Sequence, residues 1–76
     1  MSVSEAEIAL TLNGDPTALP EGATVADALR AEGIDPEDAP GIAVAVNAEV
    51  VRKEAWTTRS LDAGDDVEIV TASQGG

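Results

Sequence analysis

Ile8-Ala9-Leu10-Thr11-Leu12-Asn13-Gly14 reads as one strand and the turn that reverses it. Ile8, Leu10 and Leu12 alternate with Ala9 and Thr11, the period-2 pattern of a strand with one buried face. Asn13 and Gly14 both tolerate the positive φ angles of a type I′ turn, so the chain should return from about Asp15 to Leu19. Pro16 has no N–H to give to a ladder, which places the return strand at a sheet edge. Upstream, Met1 to Glu7 is polar, acidic and without period, and is expected to be a loose lead-in.

Downstream, Thr24-Val25-Ala26-Asp27 has the form of a capping box with a short acid in place of the usual Glu or Gln. A helix of roughly two and a half turns should start at Val25, bury Val25, Ala28 and Leu29 on one face, and stop at Gly33 in the left-handed conformation, with Ile34 beyond it. Asp35 to Gly41 carries two prolines and three acids and reads as loop. Ile42-Ala43-Val44-Ala45-Val46 is an apolar run that suits a strand buried on both sides. Asn47-Ala48 is a second tight turn, less favourable because Ala48 resists positive φ, and Glu49 to Val51 completes a second hairpin. Arg52 to Asp65 is polar and turn-rich, with Trp56 and Leu61 as apolar anchors under the sheet. After the turn at Ala63-Gly64-Asp65, Val67 and Ile69 alternate inward along a last strand, with Thr71 as a candidate third.

Hairpin, helix, hairpin, irregular crossover and final strand make an α+β order, with one main helix across a mixed sheet of about five strands. This is the order of the ubiquitin-like β-grasp, in which the first and last strands lie parallel at the sheet centre. Residues 1–76 are expected to form a single such domain, with 1–7 as lead-in and 72–76 as a flexible tail.

Composition narrows the chemistry. Fifteen acidic residues against four basic ones give a net charge of −11, which repels phosphate backbones and anionic membrane surfaces. Nucleic-acid and membrane partners are therefore not expected. The acidity itself fits either a solubilising surface or steering toward a basic partner. The absence of Cys and His removes thiolate nucleophiles, disulfides, imidazole bases and the usual zinc ligands together. No catalytic residue, metal ligand or bound cofactor is expected, and Trp56 is the one aromatic residue. The first residues carry no basic and apolar leader pattern and no apolar run approaches membrane-spanning length, so a cytoplasmic protein is expected. Of the four cations, Arg30, Arg52, Lys53 and Arg59, the adjacent Arg52 and Lys53 are the better interface candidates, although each also fits simple charge balance.

Gly75-Gly76 stands apart because the pair ends the chain. A frayed end rich in glycine is the plainer reading. Against it, the pair follows a central strand after only three linking residues, Ala72 to Gln74, and glycine without a side chain can thread a narrow channel in many backbone conformations. That arrangement suits delivery of a carboxylate into the active site of another protein.

From about Ile8 to Gly76 the chain resembles the ThiS family of sulfur carriers of thiamine synthesis. The resemblance rests on Leu12-Asn13-Gly14, on Leu19-Pro20-Glu21-Gly22 followed by Thr24 to Leu29, and on Val44-Ala45-Val46-Asn47 with Glu49-Val50-Val51. Trp56 and the end from Gly64-Asp65 through Val67 to Ala72 and Gln74-Gly75-Gly76 complete it. Ala48, where the family often has Gly, and the acidic surface depart from the pattern. The resemblance implies a protein-borne sulfur donor rather than an enzyme. Gly76 would carry the reactive carboxylate, and Gln74 and Gly75 would be recognised with it. An E1-like adenylyltransferase of the ThiF type would use ATP to adenylate Gly76, and sulfur from a cysteine desulfurase relay would displace AMP. A thiazole synthase of the ThiG type would accept the sulfur. The small subunit of molybdopterin synthase and other β-grasp sulfur carriers share this tail and remain alternatives. A ubiquitin-like modifier and a passive acidic interaction module also remain.

Overall fold

The computed structural model describes residues 6–71. They form β1 (Glu7–Leu12), β2 (Asp15–Pro20), α1 (Val25–Ala31), β3 (Ile42–Val46), β4 (Glu49–Val51) and β5 (Asp66–Thr71), with one short 3-10 turn at Lys53–Ala55. The five strands make one sheet in the order β2-β1-β5-β3-β4, with β5 parallel to β1 and antiparallel to β3.

Both hairpins follow their turn chemistry. Asn13 (φ 52°) and Gly14 (φ 85°) sit in the left-handed region, as do Asn47 (φ 53°) and Ala48 (φ 71°). In the first hairpin Ile8 stands opposite Leu19, and β2 with its Pro16 is at the sheet edge. Glu7, expected in the lead-in, is instead the first residue of β1. It pairs with Pro20, and the N–H of Glu21 donates to the Ala6 carbonyl at 2.9 Å, which extends the ladder by one more rung.

The helix is fixed at both ends by side chains and turns that its own sequence supplies. The Thr24 hydroxyl accepts from the Asp27 N–H at 3.4 Å while the Asp27 carboxylate accepts from the Thr24 N–H at 2.9 Å, a closed capping box. The remaining amides of the first turn are taken up largely from the crossover. Val25 N–H donates to the Arg59 carbonyl at 3.1 Å and Ala26 N–H to the Trp56 carbonyl at 2.9 Å. At the far end Gly33 (φ 80°) donates to the Arg30 carbonyl and Ile34 to the Leu29 carbonyl, each at 2.9 Å. This is the paired 5→2 and 6→1 bonding of a Schellman stop, with Ile34 packed back on the core.

α1 and the crossover cover one face of the sheet. Val25, Ala28 and Leu29 are buried as their spacing predicts, and so is Ala26, because the crossover wraps the start of the helix. β3 differs from expectation. Only Val44 and Val46 are buried, whereas Ala43 is exposed and Ile42 and Ala45 are half-buried. Alanines on the outer face made an alternating strand read as continuously apolar, and no second layer covers that face among the described residues. Along β5, Val67 is fully buried and Ile69 half-buried, but Thr71 is exposed, since β1 and β2 have already ended at that level.

Candidate functional site: the exit of the central strand

Gln74, Gly75 and Gly76, the residues singled out from the sequence, lie outside the described residues. The described structure places the strand that leads to them. β5 runs between β1 and β3, and its last residue, Thr71, pairs with Ile42 of β3. Gly76 lies five positions beyond Thr71 in the sequence.

Asparagines from the two hairpin turns hold β5 at both ends. At its start, Asn47 Oδ1 accepts from the Asp66 N–H at 2.9 Å, and Asn47 Nδ2 donates to Asp65 Oδ1 at 3.0 Å. Asp65 Oδ2 in turn accepts from the Asp62 N–H at 2.8 Å, which ties the preceding turn into the same set. Toward its end, the Asn13 N–H donates to the Val67 carbonyl at 2.8 Å, and Asn13 Oδ1 accepts from the Ile69 N–H at 2.8 Å. In the sequence, both asparagines are legible only as turn residues that tolerate positive φ. Their recurrence at the same position of both turns was the signal for this second role.

The outer face of the sheet is apolar beside this exit. Val50 is 76% exposed and Val70 57% exposed, the two large exposed hydrophobics among the described residues. Ala43 stands opposite Val70 and Ala45 opposite both Val50 and Glu68, so a Val/Ala patch spans β4, β3 and β5. Glu68, exposed and opposite Ala45, borders it.

The cations lie elsewhere. Arg30 pairs with Asp27 at 3.1 Å on the exposed side of α1, and Arg52 meets Glu54 at 3.8 Å with both side chains largely exposed. Arg30, Glu37, Lys53 and Glu54 rim a shallow groove over Trp56 on the helix-bearing side of the sheet. The groove has two charges of each sign, and Arg30 and Glu54 are already engaged in ion pairs. Such solvated pairs contribute little to affinity or stability. Trp56 itself is 2% exposed and is a core residue rather than a contact residue. Among the described residues no group of three or more His, Cys, Asp or Glu is placed to hold a metal ion, and no helix is long and apolar enough to cross a membrane.

A mixed sheet with parallel β1 and β5 at its middle and one helix across it defines a β-grasp protein. The ThiS family model matches residues 6–76, so the chain belongs to the ThiS family. A solved structure of a thiamine biosynthesis protein (ThiS) from Geobacter metallireducens is 31% identical, with a TM-score of 0.73 over 91% of this chain and 100% of that one. No curated protein matches the sequence significantly.

Proposed function

We propose that the chain is the sulfur carrier of a thiamine-synthesis pathway and that the carboxylate of Gly76 is the atom group that carries the sulfur. The observation that carries this reading is β5: a central strand, paired with β1 at its start and with β3 as far as Thr71, which lies five positions before Gly76 in the sequence.

An α-carboxylate is ionised at neutral pH and resists attack by an anionic sulfur nucleophile, so activation has to come first. In the proposed sequence a Gly76 carboxylate oxygen attacks the α-phosphorus of ATP in an E1-like adenylyltransferase of the ThiF type, and pyrophosphate leaves. A persulfide supplied through a cysteine desulfurase relay then displaces AMP from the acyl carbon to give an acyl disulfide. A second thiol of the partner attacks the partner-borne sulfur, releasing the thiocarboxylate and leaving a disulfide on the partner that a dithiol reductant resets. The product is a terminal thiocarboxylate, which donates its sulfur to a thiazole synthase of the ThiG type. ATP is a substrate of the activating partner and not a resident of this chain. With no Cys in the sequence, no side chain here can hold a persulfide, which leaves the terminus as the carrier position.

The apolar patch of Val50, Ala45, Ala43 and Val70 supports the same reading. One of its residues, Val70, lies on β5, the strand that leads to the chain end, so a partner docked there is close to the tail. The activating enzyme is the proposed occupant, through an apolar surface rimmed by Lys and Arg that complements a carrier of net charge −11.

Intact-mass measurement after incubation with the activating enzyme, ATP and a sulfur donor tests the proposal. The expected product has one sulfur in place of one oxygen, located on Gly76 by fragmentation. Sulfur on an internal residue, or none with competent partners, would overturn it. Transfer only to a molybdopterin synthase large subunit, and not to a thiazole synthase, would reassign the pathway.

A further inference from the structure

β5 loses one of its neighbours before it ends. β1 pairs with it only at Thr11↔Asp66 and Leu12↔Val67, because the chain turns back at Asn13-Gly14. β3 continues alongside to Thr71. From Ile69 onward the strand therefore belongs to a two-stranded ribbon, which twists more freely than the interior of a sheet. At that boundary, Asn13 adds one rung that the β1 backbone no longer provides. Its N–H takes the Val67 carbonyl and its Oδ1 takes the Ile69 N–H, so the parallel ladder is carried two residues further along β5 by a side chain.

We propose that Asn13 is a positioning residue for the reaction at the chain end: its side chain holds Ile69 against the hairpin and so fixes the course of β5 toward Thr71, the residue from which the chain continues to Gly76. This rests on the function proposed above. Docking of the sheet face on the activating enzyme leaves a seven-residue lever from Ile69 to Gly76, by residue number, between the last two-sided anchor and the reacting carboxylate. Freedom at the base of that lever spreads the carboxylate over positions from which attack on the α-phosphorus is not in line. The loss falls on the chemical step, not on docking, because the Val50 and Val70 patch is untouched.

The test compares three variants. Asn13→Gly keeps the positive φ of the turn and removes the acceptor. Asn13→Asp keeps an acceptor oxygen in the same place and tolerates the same φ, and no described contact uses the amide nitrogen of Asn13. Asn47→Gly removes the matching bond at the other end of β5, ten residues from Gly76 by residue number, and serves as the structural control.

Hydrogen exchange of the Ile69 amide, which needs no enzyme, is expected to accelerate by about tenfold or more in Asn13→Gly and to recover in Asn13→Asp. ATP–pyrophosphate exchange with the activating enzyme should show kcat reduced by about three- to tenfold in Asn13→Gly, KM for the carrier within about twofold of wild type, and recovery in Asn13→Asp. Asn47→Gly should lower the melting temperature and leave kcat in place.

Unchanged kcat in Asn13→Gly despite a faster Ile69 amide would overturn the positioning role. So would a kcat that follows melting temperature equally in Asn13→Gly and Asn47→Gly, or an Asp variant that restores Ile69 protection but not kcat. A wild-type chain that supports no exchange at all would overturn the proposed function together with this role, and the Ile69 amide data would still report whether the clamp itself exists.

Discussion

The indole Nε1–H of Trp56 donates to the carbonyl of Val51 at 3.0 Å, and Trp56 is 2% exposed. The bond closes a loop between the end of β4 and the crossover, while the Trp56 carbonyl takes up the N–H of Ala26 at the start of α1. One residue thus joins the second hairpin, the helix and the core of a protein that has no other aromatic side chain.

Trp56→Ala is expected to cost about 3–5 kcal/mol, the range for removing a large buried aromatic side chain. That is a large part of the total stability of a domain this size, so the variant should unfold early in urea or fail to fold. Trp56→Phe should be milder, with the Val51 carbonyl left without its donor, at about 1–3 kcal/mol plus a packing defect. Urea unfolding of both variants checks the order.

Ala48 offers the opposite effect. A non-glycine residue at φ 71° carries a left-handed cost of about 1–2 kcal/mol, which Gly removes, while Gly adds about 0.4–1 kcal/mol of unfolded-state entropy. Ala48→Gly should therefore stabilise by about 0.5–1 kcal/mol and raise the melting temperature by a few degrees in a thermal melt. A lower melting temperature would mean that the strain at Ala48 is already relieved.

On the outer face, Val50→Thr and Val70→Thr combined keep strand-compatible shapes and remove apolar contact area. Stability should stay within about 0.5 kcal/mol per site because both residues are mostly exposed. Affinity for the activating enzyme, measured by titration calorimetry, should fall by about tenfold or more. Equal binding would remove this face from the interface.

The net charge of −11 should appear in kinetics. Association with a basic partner surface is expected to slow as salt is raised, with dissociation changing much less. Stopped-flow association rates over a series of NaCl concentrations would show it, and a flat series would leave solubility as the role of the acids.

Deleting Gly76, or replacing Gly75 with Leu, should abolish adenylation. The deletion draws the carboxylate back by about 3.5 Å, too far for in-line attack, and a side chain at Gly75 has to fit the channel to the activating enzyme's ATP. The buried part of β5 is complete by Val67 and Ile69, so thermal melts should match wild type. Normal pyrophosphate exchange by either variant would show that the glycine pair is not the reactive end.

The sequence by itself determined the features that depend on neighbours a few residues away. Asn13-Gly14 and Asn47-Ala48 turn the chain because of their own φ preferences, Thr24 and Asp27 cap the helix across three residues, and Gly33 ends it. The lack of Cys and His and the glycines at the chain end also need no structure to be read. Tertiary structure alone decided what depends on distant partners. Ile42 to Val46 has the same apolar composition whether one face is covered or two, and only the sheet shows Ala43 in solvent. Ala26 is buried by a crossover thirty residues further on, through the Trp56 carbonyl. The turn preference of Asn13 is the same whichever way its amide points, so its bond to Ile69, 56 residues away, exists only because the parallel pairing of β1 with β5 brings that N–H to the turn. Local conformational preference can be read from the chain, whereas the partner of a side chain on an exposed turn is set by which strand the fold lays beside it.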